Sequence, residues 1–335
     1  MFVKVDLENL NRTLKKKDMD NQKIKIAFIG AGYMTEEHMR AFADHPNTEI
    51  AGIFSRTNDR ALALGFKYQS AIIADSIKNL YDSTLAELVV ISVNELSVQE
   101  VCLEAFKYPW ACLIEKPAGY NLEDAEIIAS AAQASNSKAY VALNRRHYSA
   151  TVNVLKDLST TDQVRLIHVY DQENPLAALE AGHPELVVEN WMFANSIHMI
   201  DYLNFLGRGK IKSVENIIPW DPLRPKFVMT KLNYDSGDIG IYEAVWNAPG
   251  PWSVVITTQD KRWEMRPLEQ AFVQHYGSRK LESVTNNEWD TKFKPGLRLQ
   301  AEEVIKAVSG KPHNLPTLED ALESMKLVKT IYFGA

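Results

Sequence analysis

From Ile24 onward, short apolar runs alternate with helix-length stretches of mixed polarity. Ile24–Ile29 (IKIAFI), Glu49–Phe54, Leu88–Val93 (LVVISV), Trp110–Ile114 and Lys138–Leu143 are apolar enough to be strands covered on both faces. Between them, Glu36–Ala43, Asp59–Leu64 and Val98–Phe106 read as helices, and a capping pair, Asn121 with Asp124, opens another through Ser135. This succession predicts an α/β class with a doubly wound parallel sheet ending near Asn144. Beyond it, the runs Val164–Tyr170, Lys212–Ile218, Phe227–Tyr234, Ile239–Trp246 and Trp252–Thr258 follow one another across turns such as Asp235-Ser-Gly237. Strands without intervening helices predict a second, α+β part built on a largely antiparallel open sheet. Helices over Leu297–Val308 and Leu318–Ile331 close the chain, and the last is a candidate to pack back on the first part. At the other end, Val3, Leu7, Leu10 and Leu14 form one stripe of a short helix, followed by Lys15, Lys16 and Lys17. That extension either docks on its own domain, the reading favoured here, or serves as a partner-binding arm. The expected division is therefore residues 1–22, 23–144 and 145–335.

Composition narrows the class. With 335 residues the chain is long enough for about two domains, so its two cysteines, Cys102 and Cys112, are not needed as staples. They lack metal-ligand spacing and read as reduced, packed thiols of a reducing cytosol. Lysine plus arginine is 37 against 43 acids, a net charge of −6, which provides no general attraction to nucleic acid or anionic lipid. No apolar run approaches the roughly 20 residues of a membrane span, and the first residues lack a signal peptide's apolar core. A cytoplasmic globular protein is the expectation. No HExxH, GxxxxGK[ST] or GxSxG motif is present, and the eight histidines are scattered, so no metal site is expected.

Four segments carry candidate chemistry. Gly30-Ala31-Gly32-Tyr33-Met34-Thr35 joins the first strand to the first helix. Glycine at 30 permits the tight turn, and glycine at 32 lets backbone approach a pyrophosphate over the helix N-terminus. Thr35 stands where a third Gly or Ala is usual, so helix and strand are expected to pack slightly wider. The second strand ends at Ser55-Arg56 rather than at an acid, which suits a ribose 2′-phosphate and favours NADP(H), with NAD(H) still possible. Ile114-Glu115-Lys116-Pro117 then ends a parallel strand at the edge where such sheets bind ligands. Further on, His198-Met-Ile-Asp201 lies in a helical stretch that Asn195 or Ser196 is placed to cap and Gly207 to stop. A histidine in that first turn is held neutral by the helix dipole, as a base requires.

The glycine turn, the EKP tripeptide and the later His198–Asp201 segment occur in the order and spacing of the Gfo/Idh/MocA oxidoreductases, which the chain resembles from Lys23 onward. The resemblance implies a Rossmann domain plus an α/β domain whose open sheet forms a homodimer or homotetramer interface. It implies Lys116 and His198 at the reacting carbon, with Gly30, Gly32, Tyr33, Met34, Ser55, Arg56, Asn94, Glu115 and Lys116 at the cofactor. The implied activity is hydride transfer between NAD(P) and a secondary alcohol or ketone of a sugar, cyclitol or nucleotide-sugar. Asp201 would orient or anchor the histidine's helix. Arg145 or Arg146 would hold an anionic part of the substrate, or else bridge the domains. Tyr148 and Trp191 are stacking candidates, though core packing explains most aromatics. The chain departs from the family at Ala194, where an aspartate usually precedes the histidine by four residues; Asn195 is a partial substitute on a different face. Asn94 replaces a usual proline. Ala194 gives weight to an alternative, an NAD(P)-binding sensor of the same fold that has lost catalysis.

Overall fold

The structure, a computed structural model, describes residues 23–70, 72–224 and 226–334, so the expected helix at Val3–Leu14 lies outside the described residues. The first sheet is parallel, in the order β3-β2-β1-β4-β5-β6. Its elements are β1 (Ile24–Ile29), α1 (Tyr33–Ala43), β2 (Thr48–Phe54), α2 (Asn58–Tyr68), β3 (Ile72–Ala74), α3 (Ile77–Thr84), β4 (Leu88–Ile91), α4 (Val98–Ala105), β5 (Ala111–Ile114), α5 (Leu122–Ala134) and β6 (Ala139–Val141). The apolar runs form central strands because both faces are covered, and Ile26 to Ile29 and Leu88 to Ile91 are buried throughout. Asn121 caps α5 by accepting the Asp124 N–H at 2.8 Å, as the sequence predicts. The register puts Ile29 beside both Phe54 and Ile91, and Ile91 beside Ile114. Gly30, Ser55, Ser92 and Glu115 therefore emerge side by side at one edge.

The second sheet has the order β14-β13-β12-β11-β7-β10-β9-β8. After α6 (Ser149–Leu158) come β7 (Leu166–Glu173), α7 (Pro175–Glu180), α8 (Glu185–Glu189) and α9 (Ile197–Leu206). Then follow β8 (Ile211–Ile218), β9 (Phe227–Tyr234), β10 (Ile239–Trp246), β11 (Ser253–Thr257), β12 (Lys261–Met265), β13 (Ala271–His275) and β14 (Glu282–Val284), with α10 (Trp289–Lys292), α11 (Leu297–Val308) and α12 (Leu318–Phe333) last. All neighbours pair antiparallel except β7 with β10, the point where the chain returns across the sheet. Strict alternation on β7, β9 and β10 turns one face onto α9 and α12 and leaves the other half exposed.

Both closing helices return to the first sheet. Leu297, Ala301, Val304 and Ile305 of α11 complete the core on the α1 side. Leu318 and Ala321 of α12 complete the core on the α5 side, while Met325 and Val328 join the core of the second sheet. The helix α9 stops at Leu206 as expected, but Gly207 is there for room: its φ of −74° is ordinary, and a Cβ would lie 2.3 Å from the Tyr234 ring. No described helix is long and apolar enough to cross a membrane. Among the described residues no group of His, Cys, Asp and Glu could hold a metal ion. Cys102 and Cys112 are buried and unpaired with each other, and burial pushes both thiols up.

Candidate active site

A cleft of about 750 Å³ opens at the carboxyl edge of β1, β2 and β4. Its wall brings together Gly30, Gly32, Tyr33, Met34, Ser55, Arg56 and Asn94, with Arg60 added from α2. Gly30 has a φ of +113°, and a Cβ there would lie 2.0 Å from the Ser92 carbonyl oxygen. Gly32 has no atom within 4 Å of where its Cβ would be, so the turn is bare on the side of the cleft. Thr35 has a second role beside its effect on packing. Fully buried, it accepts the Gly32 N–H at 3.3 Å and donates to Ser92 O at 3.4 Å, tying the turn to β4. The cleft, the bare turn and the start of the 11-residue helix α1 fit a dinucleotide's pyrophosphate. Replacing Gly30 by alanine should weaken NADH and NADPH binding at least about tenfold, because the main chain must move. Fluorescence titration measures it; unchanged affinity would remove the turn from the cofactor site.

At the far end of the cleft Arg56 is exposed and donates to Ser97 Oγ at 3.0 Å, while Ser55 Oγ accepts the Thr57 N–H at 3.1 Å. Glu115 turns away from the cleft wall. Its Oε1 lies 2.6 Å from Nε2 of buried His38 on α1, and its Oε2 accepts the Lys116 N–H at 3.1 Å. Glu115 thus fastens the end of β5 behind the glycine turn.

The expected helix start at Asn195 or Ser196 needs correction. Met192–Ser196 is a π-helical turn that runs without a break into α9, so His198 stands inside a continuous helix. Neither Asn195 nor Ser196 caps it. Asn195 Nδ2 donates to Glu173 at 2.9 Å, Ser196 Oγ at 3.1 Å and Trp191 Nε1 at 2.7 Å. Trp191, a stacking candidate, therefore has its indole N–H fixed, with His183 against its ring. The imidazole of His198 is buried and held well below the usual histidine range, by burial first and then by the charges of Lys116, Arg145 and Lys294 rather than by a helix end. Its Nδ1 is buried without a hydrogen-bond partner among the described residues.

Lys116 reaches the same turn. Its Nζ donates to the carbonyl oxygen of Ala194 at 3.0 Å, so the residue lacking a carboxylate contributes its main chain. Burial lowers the ammonium pKa, partly offset by Glu115, and Arg145 lowers it further. The two arginines part company. Arg146 makes a two-pronged ion pair with Asp201, 2.7 Å on each side, and Asp201 also accepts Ser324 Oγ at 2.7 Å. Asp201 thus anchors α9 to the 144–147 segment and to α12. Arg145 is buried with its guanidinium 4.6 Å over the Trp252 ring and Nη1 2.8 Å from Met199 Sδ. Tyr148 packs buried beside Arg145, and its phenol is pushed up by burial.

Glu173 and Asp171 were not foreseen. Both are buried on the inner face of β7, and Asp171 accepts the Tyr242 hydroxyl at 2.7 Å. Burial pushes both carboxyls up; the charge of Asp171 raises Glu173 further, while hydrogen bonds from Tyr242 and Glu173 partly offset the rise at Asp171. The signal was available: Ile167, Val169, Asp171 and Glu173 share one face by period two.

Residues 24–143 match the oxidoreductase family with an NAD-binding Rossmann fold, Gfo/Idh/MocA. Over 142 residues the chain is 27% identical to the glucose-6-phosphate 3-dehydrogenase of Bacillus subtilis (strain 168); this stretch is 42% of this chain and 39% of that protein's length. The fold is similar to that of a UDP-N-acetylglucosamine 3-dehydrogenase from Acidithiobacillus ferrooxidans, with TM-score 0.74 and 15% identity over 93% of this chain and 98% of the other. It is also similar to a levoglucosan dehydrogenase in complex with NADH and levoglucosan, with TM-score 0.76 and 17% identity over 92% and 96% of the two chains.

Proposed function

We propose, from the match of residues 24–143 to the Gfo/Idh/MocA oxidoreductases, that the chain is an NAD(P)-dependent enzyme that transfers hydride to or from a CH–OH carbon of a sugar, cyclitol or nucleotide-sugar. The observation that carries this reading is the meeting of Lys116 and His198 at the π-helical turn of residues 192–196. Residues 23–144 serve as the cofactor domain and residues 145–335 as the substrate and assembly domain. Bound nicotinamide supplies the hydride acceptor. His198, neutral through burial and its cationic neighbours, takes the hydroxyl proton as the alcohol is oxidised. Lys116, held by the Ala194 carbonyl, is a donor for the substrate oxygen. Arg145 and Tyr148, both buried, are assigned to the substrate side, and Asn195, fixed by Glu173, holds the turn's orientation. The names of the three relatives, each a sugar dehydrogenase, support the substrate class. The half-exposed face of β7, β9 and β10, with Met229, Ile241 and Val245, supports assembly of a homodimer or homotetramer.

Turnover of a sugar, sugar-phosphate and nucleotide-sugar panel, followed by cofactor absorbance, tests the proposal. Tight cofactor binding with no turnover on any member would favour the sensor reading that Ala194 suggests. Arg56 and Arg60 at the adenosine end support NADP(H) over NAD(H), since both are free of carboxylate partners among the described residues. Arg56→Ala should weaken NADPH about tenfold and NADH much less. Equal losses for the two cofactors would remove the 2′-phosphate assignment.

A further inference from the structure

Both carboxyl oxygens of Glu115 hold main chain or helix rather than a ligand. Where β5 ends, the Glu115 N–H makes a ladder bond to Ile91 O at 2.8 Å. The next N–H, that of Lys116, is bonded by the Glu115 side chain instead, Oε2 accepting at 3.1 Å. With Oε2 engaged as an acceptor, Oε1 takes the Nε2–H of His38 at 2.6 Å. His38 is 1% exposed and sits one turn after Thr35 on the buried face of α1. Thr35 ties the glycine turn to Ser92 O at the end of β4, so one helix face fastens the turn, β4 and β5 together. From the strand end fixed in this way, the Lys116 side chain reaches the Ala194 carbonyl oxygen at 3.0 Å. An apolar pair of similar volume would fill the space between α1 and β5 without desolvating a carboxyl and an imidazole. What the imidazole adds is a directed bond that fixes where Lys116 leaves the sheet.

We propose that His38, which does not line the cleft, is a positioning residue of the reaction: acting through Glu115, it sets the main chain from which Lys116 reaches the π-helical turn. This rests on the oxidoreductase reading and adds to it a residue outside the reacting centre. A lysine stem has many rotamers, and only a few of them bring Nζ to the Ala194 oxygen. A shift at the base of the stem carries through to the ammonium, and a misplacement of about 1 Å can cost about a hundredfold in rate.

The test uses the full chain and whichever member of the sugar panel it turns over. His38→Phe keeps a ring and removes the donor, whereas His38→Gln keeps a donor N–H at similar reach. In His38→Phe, kcat should fall about tenfold to a hundredfold with NADH affinity changed less than about threefold, and His38→Gln should recover to within about threefold of the native rate. In a Lys116→Met background His38→Phe should cost less than about twofold, because the residue it positions is gone. Equal losses in both backgrounds, or a glutamine variant as slow as the phenylalanine one, would overturn the proposal. A crystal structure of His38→Phe reads the placement without turnover: Lys116 Nζ should leave the Ala194 oxygen, and an unmoved Nζ overturns the proposal. Should His38→Phe fail to fold, Glu115→Ala removes the same bond from a partly exposed strand end. The same loss of kcat and the same displacement are expected there, and native turnover in that variant would be equally fatal. If the native protein turns over no member of the panel while the variant loses the Lys116 contact, the oxidoreductase reading fails and the positioning by His38 stands.

Discussion

Replacing His198 by alanine should lower kcat/KM for alcohol oxidation by about a thousandfold while NADH affinity changes little. The imidazole has no hydrogen-bond partner at its buried Nδ1 and sits well below its ordinary pKa of 6.5, so it is neutral through the physiological range. Loss of a general base typically costs 10² to 10⁴, and Lys116, a donor at neutral pH, cannot replace it. The pH profile fixes the sign. Because burial and three cations depress the histidine, the acid limb of kcat/KM in the native enzyme should lie below pH 6.5. Because burial depresses Lys116, the alkaline limb should begin below 10.5. Steady-state kinetics across pH would check both limbs. An acid limb that survives unchanged in the alanine variant would assign the base elsewhere.

Glu173→Ala is expected to cost about 3 kcal/mol of stability and to reduce kcat/KM about tenfold. Truncation leaves the Trp191, Asn195 and Ser196 donors without their acceptor in a buried site. Those donors hold the turn whose Ala194 carbonyl receives Lys116, so the loss reaches the chemistry through geometry. Glu173→Gln keeps an acceptor oxygen and should cost less than half as much. The pH dependence has the opposite sign from that of a salt-bridged acid. The folded carboxyl is raised, so its contribution to stability is fully present below the unfolded value of about 4.3 and is lost as pH rises toward the folded one. Denaturant unfolding should therefore show Glu173→Gln gaining on the native protein from about pH 5 upward. A constant difference across pH would mean that the carboxyl is ionised in the fold.

Much of this arrangement was legible in the sequence because it follows from local patterning. Continuous apolar runs mark the parallel strands, and the spacing of Gly30 and Gly32 after β1 marks the turn. Ile72–Ala74 and Ile77–Thr84 escaped because a three-residue strand and a two-turn helix carry too little periodicity to stand out. In the second sheet β12, β13 and β14 were missed because charged and polar residues interrupt their apolar positions, as in Lys261-Arg262-Trp263-Glu264-Met265. The ends of the site were legible as residues but not as partners. Nothing in the order Arg145-Arg146 reveals that Asp201 takes the second and leaves the first. The π-helical turn was illegible too: its register depends on Glu173 collecting three donors from across the sheet, a tertiary choice that overrides the Asn195 and Ser196 capping preference.

The return of α11 and α12 to the first sheet has a consequence for how the protein is made. Every residue on the wall of the cofactor cleft is translated within the first third of the chain, yet the two faces of the sheet that carries it are finished by Leu297, Ala301 and Val304 on one side and Leu318 and Ala321 on the other. On the ribosome the half that carries the first sheet emerges first but keeps apolar surface uncovered until the segment from 297 to 321 appears. A nascent chain stalled short of those helices should therefore leave both of these apolar faces open.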